Sequence, residues 1–516
     1  MTAFFPILSG LLIAGAFPPF SLSHLIWFCL VPLLFAVAGK GIRKGMSYGL
    51  VTGFVSFFGI LWWLAPTISR FGHLPPWFSW PVICLLIAYL AIYPAVWAGG
   101  AAWVSRKSPI LGPIALLPAA WTLLEWLREH LFSGFPWASL AYALSKSPSL
   151  IQTADLWGHF GISYLIVLAN VLLWIAVSAP KPSWRPYPVL AVVLGLLFLH
   201  LHGSQRIRSV MVEDALVPAL AVSAVQGNVP QDIKWDPGFQ AETIAIYRDL
   251  SREAVRELGD LGKPGRRLLV WPETSAPFYF QEDGPLRIEI LGIARDLDTM
   301  ILLGSPAYED GSDGMAFFNS AFLVGPDGSV AGRYDKVHLV PFGEYLPLGP
   351  LSAWAKDLLP FAGDFREGES SRPLAWGMDV KVGCLICFES IFPDRAREIV
   401  RQGADVIAVI TNDAWFGRTG APYQHEDMAV FRAVETRRWL VRSANTGVSS
   451  IISPWGERTA QTKIFERTAV SGEVRLRNGQ GLYVRTGPTF FLTLCLALVI
   501  FALFYASRKL QREERI

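Results

Sequence analysis

Seven apolar stretches crowd the first two-fifths of this 516-residue chain, at about 3–20, 24–39, 48–68, 79–104, 110–127, 161–179 and 187–203. An eighth lies at about 488–506. A helix needs roughly 20 apolar residues to cross a bilayer's hydrocarbon core, so each stretch reads as a membrane span. Composition agrees: 52% of residues are hydrophobic, 17% are charged and the mean hydropathy is +0.37, too apolar for a soluble chain of this length. The expected organisation is a membrane domain over 1–205, a globular insert over 206–487, a last span over 488–507 and a basic tail over 508–516.

The basic residues between spans orient this plan. Lys40, Arg43 and Lys44 follow the second stretch, Arg106 and Lys107 the fourth, Lys181 and Arg185 the sixth, and Arg508, Lys509, Arg512 and Arg515 the eighth. With eight spans all four clusters fall on one side, which is then cytoplasmic. The alternate loops carry only Arg70 or the pair Arg128 and Lys146. The insert is therefore expected outside, in the periplasm of a bacterium, with the spans in the inner membrane. The first stretch has no basic segment before it and contains Pro18 and Pro19, so it reads as a retained helix. The net charge of +3, without a basic stripe, gives no sign of nucleic-acid binding.

Gly41, Gly45, Gly49 and Gly53 recur every four residues, a pattern that lets two helices approach closely. "EWLREHLFSGFPWASLAY" (125–142) is unlike the other stretches. It places Glu125, Arg128 and Glu129 at a helix end, followed by a break at Gly134, Pro136 and Trp137. These charges either snorkel to the interface or line a headgroup site.

The insert alternates strand-like and helix-like segments, as in an α/β domain layered around a sheet core. Strands are expected at 219–228, 268–274, 300–306, 379–387 and 405–417, the last with a polar exit loop, and hairpins over 319–336 and 447–462. Helices are expected at 238–258, where Ile244, Tyr247, Leu250 and Ala254 follow helical spacing, and at 392–402. Three strand exits carry chemistry-capable groups: Glu273, Lys336 and Cys387. Five scattered cysteines give no disulfide framework, and the histidines show no metal-ligand spacing.

"WPET" (271–274), "YDKVHLVPFGEYLP" (334–347) and "CFES" (387–390) together resemble the carbon–nitrogen hydrolase, or nitrilase, superfamily. Its Glu-Lys-Cys triad falls on Glu273, Lys336 and Cys387. The many spans, "GFPWASLAY" (134–142) and "TNDAWFG" (411–417) are similar to one membrane branch, the apolipoprotein N-acyltransferases. The resemblance implies an αββα sandwich inserted between the seventh and eighth helices of an eight-helix membrane domain. It also implies a phospholipid acyl donor, phosphatidylethanolamine, and a diacylglyceryl apolipoprotein acceptor, with neither cofactor nor metal, in a monomer among membrane lipids. Glu344 and Glu389 are implied supporting groups. Trp235, Trp415, Phe416 and Trp137 are implied near substrate. Some members carry Tyr after the nucleophile; Phe388 here leaves only the ring to act.

The chemistry fits these residue types. Only a few per cent of a free thiol is ionised at pH 7, so Cys387 needs a base. Glu273 is the candidate, and burial would raise its proton affinity toward a useful range. Lys336 would favour the thiolate and face the oxyanion, with a backbone N–H near Phe388 as second donor. The apolar segment 341–363 reads as an interface dip or a lid. Two rivals remain: a membrane-tethered amidase or hydrolase that uses water, and a redox protein built on Cys384 and Cys387. Residues three apart on an extended strand point to opposite faces, which disfavours a bridge. A transporter with an accessory domain is a weaker third, since no paired broken spans are evident.

Overall fold

The computed structural model describes residues 4–72, 75–108, 110–179, 181–259, 261, 266–311, 314–347, 363–377 and 380–513. Residues 348–362, most of the expected lid, lie outside that set, as does Arg515 of the basic tail. The chain forms two compact units. One comprises Met1–Ser69, Leu74–Ile207 and Thr486–Ile516; the other comprises Arg70–His73 and Arg208–Arg485.

The first unit is helical. Its helices are α1 (Phe4–Ala16), α2 (Val31–Val37), α3 (Ile42–Leu61), α4 (Leu64–Phe71), α5 (Pro76–Lys107), α6 (Leu111–His130), α7 (Ala154–Ser178) and α8 (Pro186–Asp214), of which the ends of α4 from Arg70 and of α8 from Arg208 fall in the other unit. Among the described residues, α3, α5, α7 and the run Pro182–Asp214 are long and apolar enough to cross a membrane. Phe4–Ala16, Ser23–Val37 and Thr489–Phe504 are shorter apolar helices. Two expected spans are broken. The second divides into a 3-10 turn, Ser23–Trp27, and α2, which opens with Pro32 in its first turn. The third divides into α3 and α4 near Pro66, which has no N–H to donate back into the preceding turn.

The glycine repeat packs α3 onto α5. A Cβ on Gly45 would meet Ala98 O and Ala102 Cβ at 2.7 Å, and one on Gly53 would meet Ala91 Cα at 2.8 Å. Gly41, at the start of the repeat, has open space around it. The charges at the end of α6 do not snorkel. Glu125, Arg128 and Glu129 are 5%, 3% and 5% exposed, because the 131–140 segment folds back over them.

The second unit is a two-sheet sandwich. Its strands are β1 (Ala219–Gln226), β2 (Arg267–Val270), β3 (Met300–Gly311), β4 (Gly314–Val324), β5 (Val330–Asp335), β6 (Leu374–Trp376), β7 (Val380–Ile386), β8 (Val406–Thr411), β9 (Leu440–Ala444), β10 (Ser450–Ile452), β11 (Arg458–Gln461) and β12 (Thr468–Arg475). One sheet runs β12-β1-β2-β3-β4-β5 and the other β11-β10-β9-β8-β7-β6. The two face each other, β1 against β9, β4 against β7 and β5 against β6. Helices α9 (Pro237–Leu258) and α10 (Pro285–Asp296) cover the first sheet; α11 (Pro393–Arg401) and α12 (Ala421–Thr436) cover the second. This is the expected αββα layering. Strands β8 and β9 are buried along their whole length, so they read as unbroken runs rather than alternating ones.

Beyond α13 (Leu482–Thr486), the last helix, α14 (Thr489–Glu513), belongs to the helical unit again. Phe491 stacks on Trp157 of α7 at 4.9 Å, and Cys495 joins Ala119 and Phe160 in one apolar cluster.

Overpacking a tight helix contact costs about 1–3 kcal/mol. Gly45→Leu and Gly53→Leu should each lower the thermal midpoint in detergent micelles, whereas Gly41→Leu should leave it nearly unchanged. Equal effects at all three positions would mean that helix propensity, not close approach, explains the repeat.

Candidate active site

Three strand exits of the sandwich bring the polar groups together. Glu273 follows β2, three residues past its end, and is 7% exposed. Its position is fixed from behind by Gly304 of β3, where a Cβ would lie 2.7 Å from Glu273 Cα and 2.8 Å from Pro272 O. The carboxylate accepts from Asn319 Nδ2 at 2.7 Å through Oε1 and from the Asn412 backbone N–H at 2.9 Å through Oε2. Its backbone carbonyl accepts from Lys234 Nζ at 3.0 Å. Lys234 is fully buried, and burial pulls its pKa down to about 8, with the Glu273 charge opposing.

Lys336 leaves β5 and is 1% exposed. Its Nζ lies 2.8 Å from Glu344 Oε2 and 3.8 Å from Glu273 Oε1. Burial would lower the pKa of this ammonium, but Glu344, then Glu273, then Cys387 outweigh it and the net shift is upward. Glu344 is held in turn by Asn319 Nδ2 at 2.8 Å and by the Val340 N–H at 2.8 Å.

Cys387 does not lie on its strand. Strand β7 ends at Ile386, and Cys387 turns into a short 3-10 helix with φ +53. That backbone region is costly for a residue with a side chain and is kept only where neighbours over-determine it. Glu389 does this. Fully buried, its carboxylate accepts from Ile386 N–H at 2.7 Å, Val337 N–H at 2.7 Å, His338 N–H at 3.1 Å and Tyr334 Oη at 2.9 Å. One side chain thus ties the nucleophile turn to the lysine strand. Burial raises the pKa of Glu389, and those backbone N–H groups oppose the rise. Burial also pushes the Cys387 thiol above its usual range; the Glu273 charge adds to this, Lys336 opposes, Asp413 adds and the Thr411 hydroxyl opposes.

A second buried network backs the turn. His425 Nε2 lies 3.2 Å from Cys387 O and 2.9 Å from Ser390 Oγ, and its Nδ1 lies 3.1 Å from Asp413 Oδ1. Arg442 donates to Asp413 Oδ2 at 2.7 Å. Burial lowers the His425 pKa and Arg442 lowers it further, so the imidazole is neutral at pH 7. Burial would raise the Asp413 carboxyl, but Arg442 and His425 hold it down at about 2.

The remaining sequence candidates are spread out. The Phe388 ring is partly buried and packs edge-on against Phe392 at 5.1 Å. Trp415 is 37% exposed, and the Phe416 ring lies 6.1 Å from that of His425. Trp235 is 51% exposed, so it is not a core residue; its neighbour Lys234 takes the buried position instead. Trp137 belongs to the helical unit, 3% exposed, with its ring 5.3 Å from that of Trp63. Sequence reasoning missed Asn319, Tyr334, Lys234 and His425. Tyr334, inside "YDKVHLVPFGEYLP", and Asn412 and Asp413, inside "TNDAWFG", did carry a signal.

The Asp413 carboxylate gives an acid-stability test. Its folded pKa lies below the unfolded value near 4, so its contribution is present above pH 4 and is lost as pH falls through about 2. Asp413→Asn strands a buried guanidinium, a loss of about 3–5 kcal/mol. Thermal melts should show that loss at neutral pH and a flatter acid limb below pH 4. An unchanged acid limb would mean the pair contributes nothing.

Comparison with known proteins agrees with this architecture on both units. Residues 9–172 match the family model of the apolipoprotein N-acyltransferase N-terminal domain, and residues 221–482 match that of carbon-nitrogen hydrolases. An apolipoprotein N-acyltransferase of Geobacter metallireducens is 42% identical over 513 residues, covering 98% of this chain and 96% of that one. One from Methylococcus capsulatus is 33% identical, covering 95% of this chain and 93% of the other. Among solved structures, a carbon-nitrogen hydrolase from Helicobacter pylori G27 is 17% identical, covering 50% of this chain and 90% of that one, with a TM-score of 0.37. With a nitrilase-like sandwich, a helical unit rich in apolar helices and relatives at this identity over nearly its whole length, the chain belongs to the apolipoprotein N-acyltransferase family.

Proposed function

We propose that this protein moves an acyl chain from a phospholipid to the N-terminal α-amine of a diacylglyceryl-cysteine lipoprotein, through a thioester on Cys387. The reading is carried by one observation: a buried Glu273–Lys336–Glu344 charge cluster stands at the strand exits of the sandwich, where a positive-φ turn also holds Cys387.

In the first half-reaction Glu273 takes the thiol proton as sulfur attacks an ester carbonyl. The oxyanion of the tetrahedral intermediate faces the Lys336 ammonium and the backbone N–H of Phe388. The C–O bond breaks, and the proton on Glu273 passes to the departing lysophospholipid. In the second half the α-amine attacks the thioester. That amine has a pKa near 8, so on the order of a tenth is neutral at pH 7. Glu273 takes its proton, the C–S bond breaks, and the proton returns to sulfur. Glu344 positions the ammonium and Glu389 positions the turn.

The donor headgroup in this scheme is phosphatidylethanolamine, and the protein acts as a monomer. The sandwich faces the periplasm from the inner membrane, as the distribution of Lys and Arg between spans favours. Both substrates are then held at one bilayer surface, which supplies proximity.

Intact-mass analysis of protein purified from membranes tests the thioester. A fatty-acyl adduct on Cys387, removed by hydroxylamine and discharged by a diacylated lipopeptide faster than by water, is expected. Discharge by water alone would favour the hydrolase. Cys384→Ala should leave both steps intact, because Cys384 is fully buried within β7. Loss of activity there, with Cys387→Ser merely slowed, would favour the redox reading.

A further inference from the structure

The helical unit holds a cavity whose polar lining has no assigned task. It lies between α1, α3, α5 and α6, and its volume of about 30 Å³ suits one small group. Most of its wall is apolar or aromatic, including Phe57, Tyr93 and Trp121, but Glu125 and Arg128 also line it. Glu125 is pinned: its Oε1 accepts from Trp121 Nε1 at 2.9 Å and from the Leu140 N–H at 2.9 Å. Its Oε2 is buried and, among the described residues, has no hydrogen-bond partner. Arg128 is pinned separately, donating to Trp137 O and to Ser139 Oγ at 2.9 Å each, with its guanidinium over the Phe57 ring.

A buried carboxylate oxygen left without a donor is costly, and although the Arg128 charge lies nearby, that guanidinium is held by the loop and gives Oε2 no hydrogen bond. Its neighbours fix its direction, so it cannot turn to find one. We propose that this cavity receives the primary ammonium tip of a lipid headgroup or of a lipopeptide, with Glu125 Oε2 as its acceptor. An ammonium brings three donors and a positive charge in a volume close to that of a water molecule. The aromatic walls favour a cation as well. Arg128 has five N–H donors and gives two of them to the loop, so it has others for an oxygen of the same molecule, a phosphate in a lipid or a carbonyl in a peptide. A quaternary ammonium lacks the donors and the small size, and an uncharged headgroup lacks the charge.

Glu125→Gln is the informative change. Its amide oxygen keeps the bonds to Trp121 and Leu140, while its NH₂ replaces the free acceptor with a donor. Native mass spectrometry of the full chain, exchanged into detergent with phosphatidylethanolamine, phosphatidylcholine or phosphatidylglycerol, reads lipid retention without requiring acyl transfer. Failure of the thioester scheme is therefore separable from failure of this site. The wild type should retain phosphatidylethanolamine over the other two, and Glu125→Gln should lose that preference by roughly tenfold or more. A diacylated lipopeptide with a free or an acetylated amine forms the second arm. Selective loss of the free-amine peptide, with lipid retention unchanged, identifies the peptide amine as the occupant. If Glu125→Gln does not fold, Glu125→Asp keeps the charge but withdraws it by one methylene, and should show the same loss of amine preference. No amine preference in either arm, or a preference unchanged by a folded variant, overturns the proposal and leaves a water as the occupant.

Discussion

An ammonium that is 1% exposed has to be neutralised where it stands, and the candidate active site is organised around that requirement. Desolvating a lysine costs several kcal/mol unless partner charges and hydrogen bonds return it. Lys336 has two carboxylates, Glu344 in contact and Glu273 a little farther off, and Asn319 donates to both of them. The three side chains and the amide therefore form one unit that links the exits of β2 and β5 to the loop at 340–345. The raised pKa of Lys336 means that its contribution to stability is complete below the unfolded lysine value, near 10.4, and fades only as pH rises through the folded one. At neutral pH it is a fixed charge and not a proton shuttle. In the proposed reaction, proton movement is then left to the carboxylate farther from that ammonium, Glu273.

The turn at Cys387 depends on the same logic applied to an anion. Glu389 is as buried as Lys336 but, among the described residues, no cation is in contact with it. It is satisfied instead by three backbone N–H groups and a tyrosine hydroxyl. Two of those N–H groups follow Lys336 and one precedes Cys387, so the carboxylate sets the spacing between ammonium and thiol. On the other side, His425 and Ser390 meet the Cys387 carbonyl. A left-handed backbone at a non-glycine residue stays in place because it is tied from both sides.

The layered fold and the three strand exits were legible in the chain, because apolar runs that end at Glu273, Lys336 and Cys387 also mark where strands end. The glycine repeat was legible because its period matches the helix face it packs. What the chain did not disclose depends on contacts between distant segments. Asn319 sits within β4 and looks like any polar strand residue until Glu273 and Glu344 close on it from elsewhere in sequence. The end of β7 was placed one residue late, because a positive φ leaves no mark on a cysteine. Whether Glu125 and Arg128 snorkel or are buried stayed open for a related reason: charges at a helix end can do either until the returning loop is known to cover them.

Burial of the thiol has a consequence for which acceptor the enzyme can use. With its pKa pushed upward, Cys387 rests as a neutral thiol, and the thioester proposed to replace it would be neutral as well. Neither state adds charge to a site already balanced around Lys336. The tetrahedral intermediates proposed on either side of the thioester would add a negative charge, and Lys336 is the cation proposed to meet it. In the proposed scheme the two anionic intermediates are therefore the states that call on the Lys336 charge, and the thioester between them is not. A hydrolase gains nothing from a long-lived acyl-enzyme, since water is always at hand. The proposed transfer to a second lipid substrate needs an acyl-enzyme that persists until that substrate arrives, and a thioester that leaves the charge balance of the site unchanged fits that need.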